Sequence, residues 1–311
     1  MRAISPNIVI SIPAQTLELF DADGQLLRRY SVSTAAKGAG EQNGSNQTPR
    51  GQHLVRAKVG AGAPANTVFV RRRPTGEIWT PELAAQFPGR DWILTRILWL
   101  SGCEPGRNRL GCVDTMRRYI YIHGSPDSAP MGVPESHGCI RMRNADIIDL
   151  FDRVPPYTPV DIVDYRIESG DWATLGAAAM AVRERVFIRE QGVPAAIERD
   201  ANDATSRHVV AFGPDGEAIG TGRLLPGNDS GHIGRLAVLK DWRGRGVGAA
   251  LFERLLNLAA DAGMQRLEIN AQTPAAGFYA RYGFTPQGAE FQEAGLPHIR
   301  MLRPATVIPQ P

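Results

Sequence analysis

The chain of 311 residues has only three cysteines, no block of like charge and no long apolar run. Each shortage excludes something. Cys103, Cys112 and Cys139 are an odd number, and in a reducing compartment the thiol is the resting state, so a disulfide framework is not expected. A formal net charge of +3 without a basic cluster leaves no footprint for nucleic acid or a membrane surface, while small anionic substrates stay open. No segment approaches the ~18–20 apolar residues that cross a bilayer. Near the start, the apolar run at residues 8–10 is soon interrupted by Ser11 and Pro13, which is not the pattern of a signal peptide. The expectation is a cytoplasmic protein with no nucleic-acid or membrane partner.

With 43% hydrophobic residues, the chain is long enough for two domains with separate cores. The first half alternates short apolar runs with turns, so it is expected to be mainly β. Residues 7–19 and 26–33 flank the hairpin signal Asp23-Gly24, and further strands are expected at 67–71, 119–123 and 160–163. Residues 144–151 have helical spacing, and the Gly- and Asn-rich stretch 34–51 reads as a long loop beside a site. From about Tyr165 longer helical segments appear. A helix at 173–190, strands at 208–212 and 218–224, a strand at 233–239, a helix at 247–262 stopped by Gly263 and a strand at 267–271 together suggest an α/β fold with a central mixed sheet. No internal repeat or low-complexity linker separates the halves. The expected domains are therefore 1–163 and 164–311.

In the first half, Tyr121-Ile122-His123-Gly124-Ser125 ends an apolar strand on a histidine, and Ser136-His137-Gly138-Cys139-Ile140-Arg141-Met142 follows after a Gly/Pro-rich loop. A free thiol near pKa ~8.5 is mostly protonated at neutral pH, so a cysteine nucleophile needs a base close by. His123 or His137 could serve. Gly138 would admit substrate to the backbone, whose amides could hold an oxyanion, and the chemistry implied is acyl transfer through a thioester. Taken alone, Cys139 reads equally as a buried apolar residue. Cys103 and Cys112 with the two histidines could also be read as a zinc site, but the spacing lacks a metal-knuckle form, and no metal is expected.

These blocks resemble the YkuD-type L,D-transpeptidase family, in which His-Gly-Ser/Thr precedes Ser/Thr-His-Gly-Cys and an Arg or Asn. Thr48-Pro49-Arg50-Gly51 is similar to that family's Thr-Pro-x-Gly turn, and the resemblance runs from about residue 7 to 163. It implies a YkuD-like fold with Cys139 as nucleophile and His123 as base, the imidazole being oriented by the carbonyl of Gly124. His137 would help to bind and polarise substrate, and Arg141 could meet a carboxylate bidentately. It further implies attack on the bond between the L-centre of a diamino acid and D-alanine in peptidoglycan tetrapeptide stems, with no cofactor. The acyl group then passes to an amine or to water. For a cytoplasmic chain the expected outcome is carboxypeptidase action on soluble muropeptides during recycling, the alternative being an exported cross-linking transpeptidase.

In the second half, Arg243-Gly244-Arg245-Gly246-Val247-Gly248-Ala249 joins a strand to a helix. Orphan amides and the helix dipole make such a turn an anion site, although a purely structural turn is the other reading. The run is similar to the Arg/Gln-x-x-Gly-x-Gly/Ala motif of GNAT N-acetyltransferases. It follows Arg235-Leu236-Ala237-Val238 and precedes Phe278-Tyr279-Ala280-Arg281-Tyr282-Gly283-Phe284, which resembles the family's Phe-Tyr-x-x-x-Gly-Phe element. The stretches 186–194 and 291–298 resemble the ElaA/YjcF-like branch, and the likeness covers about 165–303. It implies acetyl-CoA as cofactor, bound by Leu236, Ala237 and Val238 and by the turn from Arg243 to Ala249. Tyr279 would act as general acid at the departing sulfur, Asn270 would support cofactor or water, and Glu293 and His298 would lie near an amine acceptor whose identity is open. A half that binds acetyl-CoA only as a sensor is the alternative.

Overall fold

The computed structural model describes residues 6–22 and 24–304, and the chain divides into two compact units between Arg166 and Ile167. Among the described residues the first unit is built on a ten-stranded sheet. Its strands are β1 (Asn7–Ser11), β2 (Thr16–Phe20), β3 (Leu26–Ser31), β4 (Gly51–Val59), β5 (Thr67–Val70), β6 (Arg73–Ile78), β7 (Ile93–Gly102), β8 (Tyr121–Gly124), β9 (Ile140–Met142) and β10 (Pro159–Val163). They run in the order β3-β2-β1-β10-β4-β7-β5-β6, with β8 pairing both β7 and β9.

The expected strand at 7–19 is in fact a hairpin of β1 and β2. Pro13 interrupts the ladder, and Gln15, at φ +53, closes the turn by donating from Nε2 to the Ile12 carbonyl and to Thr34 Oγ1. Strands β2 and β3 pair as expected around Gly24, whereas Asp23 lies outside the described residues. Alternation then builds the core: Ile8, Ile10, Leu17 and Leu19 face inward from β1 and β2. They meet Leu98, Leu100, Ile122, Ile140 and the apolar stripe Ile147, Leu150 and Phe151 of a helix at Asn144–Arg153. Each such fully buried aliphatic side chain contributes about 1.5–3 kcal/mol.

The second unit has an eight-stranded sheet among the described residues. Its strands are β11 (Arg166–Gly170), β12 (Arg207–Phe212), β13 (Ala218–Pro226), β14 (Ser230–Val238), β15 (Arg266–Gln272), β16 (Thr285–Pro286), β17 (Phe291–Glu293) and β18 (Leu296–Pro304). The order is β11-β12-β13-β14-β15-β18-β16, with β17 on β18. The sheet is mixed, because β14 and β15 are parallel while their other pairings are antiparallel. The helix expected at 173–190 is α-helical only over Trp172–Arg183. Glu184–Glu190 continues as a π-helical turn, which no breaker in the sequence marks. A long helix at Val247–Asp261 buries Val247, Leu251, Leu255 and Ala259.

Candidate active sites

The parallel pairing of β8 with β9 sets His123 opposite Arg141 and Gly124 opposite Met142. Side chains alternate across a strand, so Tyr121 and His123 share one face with Cys139 and Arg141. The His123 ring is buried. Its Nδ1–H donates to the Gly124 carbonyl at 2.8 Å, and burial lowers its pKa, so the neutral imidazole keeps its lone pair on Nε2. Gly124 has no room for a side chain, because a Cβ there would lie 2.6 Å from Asn144 Oδ1 and 2.7 Å from the Leu94 carbonyl.

Cys139 is a free, half-buried thiol, pushed up to about 12 first by burial and then by the Asp91 carboxylate, against the opposing pull of the Tyr121 backbone, Arg141 and Arg118. A thiol in that state needs an acceptor. Its Sγ is directed at the Tyr119 carbonyl, 3.5 Å away, and not at a histidine ring. Tyr119 holds φ +58, an uncommon backbone state for a bulky residue. Gly138 turns the chain just before the thiol at φ +127, where a Cβ would meet Ile120 Cδ1 at 3.1 Å and the Gln47 carbonyl at 3.3 Å.

The stretch 34–51 forms the loop beside this turn. Thr48 Oγ1 donates to the Gly138 carbonyl and accepts from the Ala35 amide, while Arg118 donates to the carbonyls of Gly40, Glu41 and Gln47. Arg141 Nη2 donates to Asp91 Oδ1 at 2.7 Å, so one side of the guanidinium is already engaged. His137 is largely exposed, with Nδ1 3.7 Å from the other oxygen of Asp91. Neither Asp91 nor Tyr119 carries a motif. Asp91 reaches the site from a loop remote in sequence, whereas Tyr119 sits two residues before the Tyr121–Ser125 block.

In the second unit, β14 and β15 pair only from Ser230↔Arg266 to His232↔Glu268 and then part. A bulge opposite Gly222 places Arg235 at φ +54 and lets Leu236, Ala237 and Val238 follow the opening. The turn after β14 carries Gly244 at φ +73 and Gly246 at φ +83, and it enters the helix at Val247 with no side-chain cap. The first-turn amides of Val247, Gly248 and Ala249 thus point at the helix mouth. Arg243 is not free to add charge there, because it bonds Glu190 through both Nη atoms (2.6 and 2.7 Å). Arg245 lies over the Trp242 ring, 4.9 Å from its centroid.

Beside the parted strands is a cavity of about 180 Å³, lined among others by His232, Leu236, Asn270, Tyr279, Glu293 and His298. Tyr279 packs edge-on to Phe252 and Phe278, and burial pushes its phenol up to about 12. Asn270 donates to Glu293 at 3.1 Å. One wall rests on a closed ring of alternating charges that sequence reasoning missed. Arg183 bonds Glu198 and Asp203, Arg223 bonds Asp203 and Asp200, and Arg235 meets Asp200 and Glu198.

The parts found in the two units are those of group-transfer chemistry, and the chain is a two-domain enzyme. It belongs to the family of L,D-transpeptidase catalytic domains (YkuD), whose family model matches residues 5–162, and continues as an acetyltransferase (GNAT) domain matched over residues 163–303. Over 127 residues the second domain is 40% identical to the uncharacterized N-acetyltransferase YjcF of Bacillus subtilis, a match spanning 40% of this chain and 89% of that protein. Among solved structures, an acyl-CoA N-acyltransferase from Pseudomonas aeruginosa is 30% identical (45% of this chain, 99% of that one, TM-score 0.42). Escherichia coli ElaA is 27% identical (45% and 99%, TM-score 0.41).

Proposed function

We propose that the chain is a bifunctional enzyme with catalytic domains at residues 1–163 and 164–311. The first cleaves the bond between the L-centre of a diamino acid and D-alanine in peptidoglycan tetrapeptide stems. In the resting state both partners are neutral, and the carrying observation is the His123 Nδ1–H bond to Gly124, which leaves Nε2 as the base. As Cys139 Sγ attacks the scissile carbonyl, Nε2 takes its proton, and amides near Gly138 and Cys139 receive the oxyanion. The imidazolium returns that proton to the departing D-alanine amine. The remaining thioester is passed to water, giving the tripeptide.

The second domain transfers an acetyl group to an amine. Acetyl-CoA, when bound, supplies the activated acetyl thioester. The amides of Val247, Gly248 and Ala249 at the helix mouth fit its pyrophosphate, and the gap between β14 and β15 fits its pantetheine arm. Tyr279 holds a proton at Oη for the leaving sulfur, and Glu293, Asn270 and His298 face the amine side of the cavity. A domain dependent on acetyl-CoA favours work where that cofactor is made, hence cytoplasmic hydrolysis of recycled muropeptides over cross-linking of a wall. None of the helices among the described residues is long and apolar enough to cross a membrane.

The test is to incubate the full chain with a stem tetrapeptide and read the products by mass. Tripeptide should form, and Cys139→Ser should abolish it. Retained activity in that variant overturns the nucleophile assignment, and dimer without tripeptide overturns the hydrolytic reading.

A further inference from the structure

The geometry points to Arg72 as the residue that binds the free C-terminal carboxylate of the peptide whose terminal residue Cys139 removes. This inference rests on the peptidase reading of the first domain and supplies its substrate selectivity. Arg72 stands on the two-residue turn between β5 and β6, where Val70 pairs with Arg73. Both turn residues lie in the left-handed region, Arg71 at φ +48 and Arg72 at φ +68, which is the dihedral pattern of a type I′ turn. Such turns ordinarily use Asn and Gly, because a side chain there is strained. Here two arginines occupy it.

The strain aims one guanidinium at the thiol's surroundings. Arg72 lies 4.4 Å from the centroid of Trp99 and 5.0 Å from that of Tyr119, and its Nη1 donates to the Tyr121 hydroxyl at 3.0 Å. Tyr119 supplies the carbonyl that faces Cys139 Sγ, and Trp99 and Tyr121 pack in one cluster with Cys139. An aromatic shelf fixes the planar cation, and the bond from Nη1 to Tyr121 is its one side-chain hydrogen bond among the described residues, which leaves donors of the half-buried guanidinium for a ligand.

The other arginines around the thiol are engaged. Arg141 is held by Asp91, and Arg118 is consumed by loop carbonyls. Arg72 has no carboxylate partner among the described residues. The cleft is therefore polar in one sense, with the acid Asp91 on the Arg141 side of Cys139 and an unneutralised cation on the Tyr119–Tyr121 side. A peptide ending in D-alanine carries its carboxylate one residue, roughly 3.8 Å of chain, beyond the attacked carbonyl. That places it toward the shelf, and an internal residue or an amidated end would lose the contact.

The experiment uses the full chain and a synthetic stem tetrapeptide, with a diamino acid third and D-alanine last, as free acid and as carboxamide. In the Cys139→Ala chain, calorimetry should find the acid bound about ten- to a hundredfold more tightly than the amide, the ordinary value of hydrogen bonds to a charged group. Arg72→Gln should remove that preference without changing amide affinity, Arg72→Lys should restore part of it, and Arg71→Gln should leave it intact. Equal or equally undetectable affinity for acid and amide, or a preference that survives Arg72→Gln, overturns the inference. A preference that depends on Arg72 in a chain whose wild type forms no tripeptide would instead keep the binding site and remove the peptidase reading.

Discussion

The two units place their reactive protons in similar surroundings and for different ends. The Cys139 thiol and the Tyr279 phenol are both pushed up to about 12, in each case chiefly by burial. For a phenol proposed to give a proton away, neutrality at working pH is the useful state. For a thiol proposed to attack, it is an obstacle, and a neutral His123 with its lone pair on Nε2 is what removes it. On the proposed roles, activation in the first unit is tied to substrate arrival, whereas the proposed acid of the second unit stays protonated throughout. The supports differ too. A short run of chain and its backbone bonds carry the thiol, and a ring of six charged side chains braces the cavity of the second unit.

The largest expected effect falls on the base. His123→Ala should lower tripeptide formation by about 10²–10⁴-fold, as loss of a general base does, while CoA release by the second unit stays within twofold or so. Equal losses in both assays would break the division of labour. Next, Arg183→Met opens the ring, leaving Glu198 to Arg235 alone and Asp203 to Arg223 alone, and should cost the second unit about 3 kcal/mol. Denaturant unfolding followed by hydrogen exchange should place that loss in β12 and β13 and not in β7 or β8. Tyr279→Phe should lower the acetyl-transfer rate by about a hundredfold with acetyl-CoA affinity unchanged, since only the proton is removed. An affinity loss of the same size would make Tyr279 a binding residue.

The smallest effect concerns pH. His53, buried on β4 between the Gly51 carbonyl and Thr115 Oγ1, is lowered by burial from 6.5 to about 4. The folded state thus resists protonation more than the unfolded chain does. Its contribution is present above the unfolded value of 6.5 and is lost as pH falls toward 4. Exchange of the β4 amides should report about 1–2 kcal/mol of lost stability between pH 6.5 and about 5, and His53→Gln should flatten that slope.

What the residue order reveals follows from where the chemistry is stored. His123, Gly138 and Cys139 sit in two contiguous blocks, and strand pairing of neighbours in the sheet brings the blocks together, so the first site is largely legible. The amide-lined turn is legible for the same reason, being one run from Arg243 to Ala249. Strand β7 escapes because it is buried along nearly its whole length, and its apolar stretches, split by Thr95 and Arg96, lack the alternation of a half-exposed strand. Asp91 and Arg72 escape because charged residues in turns and loops have no period, and which of them matters shows only beside Arg141 and Tyr119. The partners of Arg141 and Arg243 escape for a related reason. Sequence shows a charge, and only the fold shows that Asp91 and Glu190 already neutralise it.

The claim that most needs testing is that the proposed nucleophile rests as a thiol. Thiolate ultraviolet absorbance of the full chain, titrated with pH and reduced by the titration of Cys139→Ser, isolates this one group. No Cys139 thiolate is expected at neutral pH, with ionisation only in strong alkali, near 12. Thiolate already present at neutral pH, vanishing when His123 is replaced by Ala, would show a preformed thiolate–imidazolium pair and contradict a resting thiol.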